Sequence, residues 1–184
     1  MFLLKLLLTF FFFLYSVSVN RNNILIYKEV MKMQNMFDKN LIDLNASVFD
    51  EQELFDLVGM RVIEKGIANL GYISGLEKRE LSYPTGLKFP DIPIALPHVD
   101  PRYIKKPFIY VVRNNRPIDV KQMGDSAKMQ TSNFLFLGLK DGAKQPQLLA
   151  EIMAAFQSQE FVSAFSNTSN VEDMYSLLSK KFAE

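Results

Sequence analysis

The sequence predicts an α/β fold, a mixed β-sheet flanked by helices on both faces in a three-layer sandwich. Amphipathic helical patterns come before, between and after short apolar runs that are typical of strands. Long connections separate those runs, which favours a mixed sheet over a simple series of hairpins. The chain has 184 residues, of which 48% are hydrophobic, and this is enough for one domain with a substantial core.

The first predicted elements are a short strand or turn and a helix. Residues 41–48 mix branched aliphatic side chains with Asp and Asn and predict the strand or turn. Asp50 and Glu53 have the spacing of a capping box, which starts a helix. Apolar residues then recur at helical spacing over 54–63, and Gly66 is a typical end of such a helix.

A second helix and a short strand follow. The helix is predicted over about 73–81, and residues 83–86 have the composition of a turn. Residues 92–96 predict a strand. Pro93 lacks a backbone N–H, so we expect it at the edge of the sheet or at the start of its strand.

The second half of the chain predicts two buried strands and three helices. The strands are expected over 108–112 and 134–139, and Asn114-Asn115 predicts a turn directly after the first. Apolar spacing predicts helices over 146–156, 160–165 and 171–182.

Composition excludes several classes of function. The net charge is +1, which argues against a non-specific grip on nucleic acid. The chain has no cysteine, so disulfides, thiolate metal sites and cysteine nucleophiles are all excluded. With only one histidine, a zinc site would depend on carboxylates, which zinc sites rarely do. We therefore expect neither a metal nor another cofactor.

The N-terminal segment, residues 1–36, differs from the rest of the chain. It is apolar over 1–19 and contains no Gly, Ala, Pro or Asp before Met33. A membrane anchor, a signal peptide and translation upstream of the true start at Met31, Met33 or Met36 all fit this composition. Residues 37–184 have the composition of an ordinary soluble domain.

The single histidine, His98, lies in the stretch I-A-L-P-H-V-D-P. Pro97 and Pro101 restrain the backbone around it, so its side chain is presented in one direction. A neutral imidazole can act as a nucleophile and form a covalent intermediate. Two alternatives stay open on these features, a structural histidine and a hydrolase in which Asp100 orients His98 as a general base. The hydrolase lacks a G-x-S-x-G elbow for its serine.

Several motifs together resemble one known family. R-E-L-S-Y-P-T-G-L precedes I-P-I-A-L-P-H-V-D-P, and P-F-I-Y-V-V-R, P-I-D-V-K-Q-M-G-D and F-L-F-L-G-L-K-D-G-A-K-Q follow it. In this combination the sequence resembles the enzyme IIA component of the bacterial phosphoenolpyruvate-dependent sugar phosphotransferase system. The similarity is to the fructose/mannitol superfamily and, within it, to the galactitol-type branch. It covers about residues 41–178.

The resemblance implies a phosphocarrier domain over 37–184 with the enzyme IIA fructose/mannitol-like fold. His98 would be the phosphorylated residue, and Arg79 matches the active-site arginine whose guanidinium can clamp phosphate oxygens. Thr85 could donate a hydroxyl hydrogen bond to the phosphate or form a turn, and Asp100 could hold one imidazole nitrogen. Gln122 lies in a matching motif.

Two positions depart from the pattern of the family. Val99 stands where a small hydroxyl residue or glycine is common, and this could alter how the phosphate is solvated. The mannitol branch has a second active-site histidine, which this chain lacks.

The implied partners are phospho-HPr as phosphoryl donor, a cysteine of enzyme IIB as acceptor, and indirectly the enzyme IIC permease, with no nucleic acid. These partners imply a cytoplasmic protein, with membrane association through the permease or the N-terminal segment as the alternative. That location favours a misplaced start over an anchor, and an anchor over a signal peptide. Two other functions stay open. One is a regulatory module that signals sugar status by docking to other proteins, and the other is a membrane-anchored binding domain unrelated to phosphate.

Overall fold

A five-stranded mixed sheet forms the centre of the protein. The structure, a computed structural model, describes residues 36–182. The strands are β1 (Phe37–Ala46), β2 (Gly86–Lys88), β3 (Pro93–Ala95), β4 (Phe108–Lys121) and β5 (Lys128–Gly138). Their order across the sheet is β1-β4-β5-β3-β2. β1 runs parallel to β4 and β3 parallel to β5, whereas β4 pairs with β5, and β2 with β3, in antiparallel fashion.

All five predicted helices are present, each within a few residues of its expected bounds. They are α1 (Glu51–Glu64), α2 (Tyr72–Ser82), α3 (Gln145–Phe156), α4 (Gln159–Asn167) and α5 (Val171–Lys181). The predicted capping pattern starts α1, since the Asp50 carboxylate accepts the N–H of Glu53 at 2.9 Å. The Glu53 carboxylate reaches one residue further than expected and accepts the N–H of Phe49. Gly66, with φ +67°, follows the end of the helix.

Alternate strand residues face opposite layers of the molecule, as the pleat of a sheet requires. In β5, Leu135 and Leu137 pack with α3, α4 and α5, whereas Phe134 and Phe136 pack with α1 and α2. Both apolar clusters are buried. The predicted three-layer α/β sandwich, with helices on both faces of a mixed sheet, is therefore confirmed.

The prediction of a turn at Asn114-Asn115 is wrong. Strand β4 continues through this pair to Lys121, with an irregularity in its pairing to β5 between Arg113 and Ile118. The Asn114 side chain is buried and exchanges two hydrogen bonds of 3.0 Å with the backbone of Val48. The polar groups of an asparagine, a residue that usually marks a turn, are hydrogen-bonded here in the interior of the protein.

Strand β2 was not expected, because residues 83–86 and 89–91 have turn composition on both sides of it. It pairs with β3 and covers the side of β3 that would otherwise be an edge. Pro93 is the first residue of β3, one of the two positions predicted for it.

The predictions of a misplaced start, an anchor or a signal peptide concern residues 1–35, which lie outside the described residues. Between residues 36 and 182, no helix is both long and apolar enough to cross a bilayer. Met36 already belongs to the packed domain, since its side chain is buried and its carbonyl accepts the N–H of Ile109 at 2.8 Å.

Candidate active site

His98 lies just after β3 on a backbone that is attached to the sheet. The N–H of Leu137 in β5 donates to the carbonyl of Pro97 at 2.9 Å, and His98 itself forms an isolated parallel bridge with Leu137. The histidine is only 4% exposed. The restrained backbone expected between the two prolines is therefore also held by β5.

Both ring nitrogens of His98 have a defined partner. Nδ1 lies 2.8 Å from the carbonyl oxygen of Leu96, and Nε2 lies 3.0 Å from Nη2 of Arg79. A carbonyl can only accept and a guanidinium can only donate. The neutral ring consequently carries its proton on Nδ1, and the lone pair of Nε2 points to Arg79.

The surroundings of His98 keep its ring neutral. Burial lowers the pKa of His98 below its ordinary value of 6.5, and the positive charge of Arg79 lowers it further, whereas the Leu96 carbonyl acts in the opposite direction. At neutral pH the imidazole is therefore unprotonated at Nε2, which is the form that can act as a nucleophile.

Arg79 is fixed in the last turn of α2 by contacts on its other side. Its Nη1 donates to the carbonyl of Tyr83 at 2.7 Å, and its guanidinium carbon lies 4.7 Å from the centre of the Tyr83 ring. One nitrogen of the fork is thus held by Tyr83 while the other contacts His98. Tyr83 itself is 66% exposed, so this side of the site is open to solvent.

Thr85 contacts Glu80, the residue that follows Arg79 in α2. Its N–H donates to Oε1 of Glu80 at 2.7 Å and its hydroxyl donates to Oε2 at 2.8 Å. Both residues are buried. Burial raises the pKa of Glu80, opposed by the two bonds from Thr85 and by the charge of Arg79. In this structure the Thr85 hydroxyl, for which a bond to phosphate and a role in a turn were both open, donates to Glu80.

Asp100 is not brought to the imidazole ring by a hydrogen bond. Its carboxylate accepts the N–H of Arg102 at 3.0 Å and caps a short 3-10 turn over Pro101–Tyr103. The side chain is 55% exposed. The Leu96 carbonyl, and not the Asp100 carboxylate, is the hydrogen-bond partner of Nδ1.

Gln122 begins the turn between β4 and β5. Its N–H donates to the carbonyl of Ala127, and the next residue, Met123, donates its N–H to the carbonyl of Gly86 at 2.7 Å. Gln122 also forms an isolated bridge with Gly86. The turn is thus joined to the residue that follows Thr85, and Gln122 is connected to the site through the backbone.

Val99 packs against helix α2. A Cβ added to Gly75 would lie 2.6 Å from Cγ2 of Val99 and 2.8 Å from Cε2 of Tyr103. One added to Gly71, one helical turn earlier, would lie 2.8 Å from Cε1 of Tyr103. A glycine in α2 and the glycine that caps its start thus allow the segment after His98 to approach the helix closely. The side chain of Val99, which replaces the small hydroxyl residue or glycine of the family pattern, is therefore buried against α2 and is not exposed to solvent.

Sequence reasoning missed Glu80 and the two backbone carbonyls of Leu96 and Tyr83. Glu80 could have been found, because it lies four residues after Leu76 and eight after Tyr72, on the apolar stripe of α2. A carboxylate on a buried stripe requires partners. The carbonyls carry no such signal, since every residue has one.

Comparison with known proteins gives a consistent result. A family model described as "Phosphoenolpyruvate-dependent sugar phosphotransferase system, EIIA 2" matches residues 35–181. The galactitol-specific EIIA component of the sugar phosphotransferase system from Escherichia coli (strain K12) is 25% identical over 130 residues, which cover 71% of this chain and 84% of the relative.

Two solved structures have a similar fold. The nitrogen regulatory protein IIA-Ntr from Neisseria meningitidis has a TM-score of 0.66 and 18% identity, over 79% of this chain and 97% of that protein. Mannitol enzyme IIA from Escherichia coli, solved in complex with phosphorylated mannitol enzyme IIB, has a TM-score of 0.65 and 15% identity, over 78% of this chain and 97% of that protein.

Proposed function

The chain belongs to the EIIA 2 family of the phosphoenolpyruvate-dependent sugar phosphotransferase system, and on that basis we propose that it carries a phosphoryl group on Nε2 of His98. The observation that carries the proposal is the buried, neutral imidazole whose Nε2 lone pair faces the guanidinium of Arg79 at 3.0 Å. A nucleophilic nitrogen beside a fixed cation is the arrangement that phosphoryl transfer needs.

Phosphorylation follows directly from this geometry. The lone pair of Nε2 attacks the phosphorus of a phosphohistidine on the donor, an N–P bond forms, and the donor N–P bond breaks with its electron pair returning to the donor imidazole. Arg79 can then donate its N–H groups to the phosphoryl oxygens and stabilise the charge that they carry.

The proton on Nδ1 favours the second transfer. Nδ1 keeps this proton in its hydrogen bond to the Leu96 carbonyl, with 2.8 Å between nitrogen and oxygen, so the phosphorylated ring is positively charged. A thiolate of the acceptor attacks the phosphorus, an S–P bond forms, and the electron pair of the N–P bond returns to Nε2. With the proton kept on Nδ1 the ring departs as neutral imidazole, whereas without it the ring would have to depart as an imidazolate anion, so the retained proton makes His98 a good phosphoryl donor.

The donor and acceptor that we propose are phospho-HPr and a cysteine of enzyme IIB. The acceptor thiol must lie on another chain, because this one contains no cysteine. The solved complex of mannitol enzyme IIA with phosphorylated enzyme IIB supports this choice of acceptor. The galactitol-specific relative supports a role in hexitol uptake, with sugar recognition by the enzyme IIC permease. This function places the protein in the cytoplasm.

The test is reconstitution of the transfer. The protein is incubated with labelled phosphoenolpyruvate, enzyme I and HPr, and we expect an acid-labile label that is absent from His98→Gln. Adding enzyme IIB should remove the label. An unlabelled wild-type protein with cognate HPr would reject the phosphocarrier function and leave the regulatory docking module as the better account.

A further inference from the structure

We propose that Glu80 is a positioning residue that holds the ring of His98 in its Nδ1–H tautomer, acting through Thr85 and the carbonyl of Leu96. The tautomer part of this inference stands independently, whereas its effect on the rate of transfer rests on the function proposed above. Glu80 does not contact the imidazole in this structure, so its influence passes through a short series of hydrogen bonds.

The first step is the pair of bonds between Glu80 and Thr85. Both carboxylate oxygens are used, one by the N–H at 2.7 Å and the other by the hydroxyl at 2.8 Å. Thr85 has no exposed surface and Glu80 is 6% exposed, so water does not compete readily for these groups. The two bonds fix both the backbone and the side chain of Thr85.

The second step connects Thr85 to the histidine ring. The carbonyl of Thr85 accepts the N–H of Leu96 at 3.2 Å, and the carbonyl of Leu96 accepts Nδ1–H of His98 at 2.8 Å. The same peptide segment thus receives a hydrogen bond from the ring and gives one to Thr85. A displacement of Thr85 therefore moves the Leu96 carbonyl, which together with Arg79 determines which ring nitrogen carries the proton.

The third step is the position of Glu80 next to Arg79 on α2. Adjacent residues of a helix point about 100° apart, so one side chain reaches Nε2 and the other packs behind the turn that leads to Nδ1. The last turn of one helix therefore holds His98 from both sides, directly through Arg79 and indirectly through Glu80. This is how a nucleophile can be kept at a fixed angle to its clamp.

The variants that test the proposal separate the loss of hydrogen bonds from the loss of side-chain volume. Glu80→Ala removes both acceptors, and Thr85→Val is nearly isosteric but removes the hydroxyl donor. Two conservative changes serve as rescue controls. Glu80→Gln can accept from the N–H and donate to the hydroxyl oxygen, and Thr85→Ser keeps both donors. Val62→Ala, on the buried face of α1, controls for loss of stability alone.

The readout is the pair of ¹⁵N shifts of His98, the only histidine, measured on the unphosphorylated protein. In the wild type we expect one protonated and one unprotonated nitrogen, assigned to Nδ1 and Nε2. Glu80→Ala and Thr85→Val should move the two shifts towards each other and slow labelling by phospho-HPr about tenfold. Glu80→Gln, Thr85→Ser and Val62→Ala should keep the wild-type shifts.

Unchanged shifts in both folded Glu80→Ala and Thr85→Val would overturn the proposal. If Glu80→Ala does not fold, Thr85→Val decides alone. If Val62→Ala altered the ¹⁵N shifts of His98 in the same way, the proposal would also be overturned, because a general loss of stability would then explain the effect. If the wild type takes no label while its shifts respond as described, the proposed function fails and the positioning role stands.

Discussion

Nη2 of Arg79 lies 3.0 Å from Nε2 of His98, at the position that a phosphoryl group would enter under the proposed function. In the unphosphorylated protein the guanidinium of Arg79 therefore covers Nε2 of His98. The other guanidinium nitrogen is bonded to the carbonyl of Tyr83 at 2.7 Å and provides a pivot about which the fork can turn towards phosphate oxygens. In the proposed transfer we expect the arginine to exchange the ring nitrogen for phosphoryl oxygens as its partner while its contact with Tyr83 is kept.

Replacing Arg79 by alanine should slow phosphorylation without unfolding the protein. The half-buried side chain lies at the open edge of the site, so its removal leaves no large cavity. The charge stabilisation that it gives the transferring group is lost, and we expect labelling by phospho-HPr to slow about 100-fold. Arg79→Lys should recover little of this, because a single ammonium cannot contact Tyr83 and the phosphate together.

Arg102→Ala is the matched control for Arg79. This arginine lies four residues after His98, but its N–H and side chain contact Asp100 and its guanidinium lies 5.0 Å from the Tyr103 ring centre. We expect its labelling rate to stay near that of the wild type. Equal rates for Arg79→Ala and the wild type would remove Arg79 from the site.

The ionisation of His98 gives a prediction about pH. Burial and Arg79 lower the pKa of the folded ring below 6.5, so an NMR titration should find its midpoint below that value. The unfolded chain binds the proton more readily than the folded one in the window just below pH 6.5. The free energy of unfolding should therefore fall as the pH drops through this window.

His98→Gln, which does not titrate, should lose this component of the pH dependence. The measurement is chemical denaturation of both proteins at several pH values. Arg79→Ala should move the His98 midpoint upward, since it removes a neighbouring positive charge. A midpoint at or above 6.5 in the wild type would contradict the neutral, buried ring.

The helices and buried strands could be predicted because each buries one face along its whole length. Apolar spacing places Leu76 on the core side of α2, and the alternation over Phe134–Leu137 belongs to a strand with helices on both sides. Asn114 could not be placed, because its burial depends on the backbone of Val48, 66 residues away.

In the candidate site, too, some contacts could be predicted from the sequence, and others depend on the fold. The resemblance to the enzyme IIA family implies that Arg79 lies beside His98, and the structure brings the two into contact. The partner of Nδ1 is the backbone of Leu96, which no residue type indicates. Thr85 was a sound candidate for a hydroxyl donor, but the acceptor that it contacts is determined by the fold.

Glu51, at the start of α1, should make the protein less stable at high pH. Burial, together with the nearby charge of Glu80, raises the pKa of Glu51 from 4.5 to about 7, against the opposing effect of Lys121. One of its oxygens is buried without a hydrogen-bond partner. The folded state binds the proton more tightly, so this contribution to stability is complete below pH 4.5 and is lost as the pH rises through about 7.

Glu51→Gln should remove that loss. We expect it to raise the free energy of unfolding by about 1–3 kcal/mol at about pH 8 and to change it little at about pH 4. Glu64→Gln, at the exposed far end of the same helix, makes the same change in net charge and serves as control. A gain of equal size at both pH values would show that Glu51 acts through something other than its ionisation.

Gly75→Ala should destabilise the protein although alanine favours helices. A helix interior gains about 1 kcal/mol from this exchange where space exists. Here the new Cβ would lie 2.6 Å from Cγ2 of Val99 and 2.8 Å from the Tyr103 ring, and overpacking of this kind costs about 1–3 kcal/mol. Val99 is buried and, as a β-branched residue, has few alternative rotamers, so we expect the backbone segment next to His98 to shift instead. We therefore expect a lower melting temperature and slower labelling together.

A double-mutant cycle with Val99→Ala identifies the contact responsible. Shortening Val99 removes the closer of the two clashes, so the double variant should regain part of the stability and labelling rate that Gly75→Ala loses. Gly142→Ala is the control, because its new Cβ would meet only Pro101 Cγ at an ordinary 3.5 Å. Strict additivity of Gly75→Ala and Val99→Ala would show that α2 and the histidine segment are not coupled at this point. Coupling in both stability and labelling rate would show that the close approach of α2 and the histidine segment supports the proposed transfer.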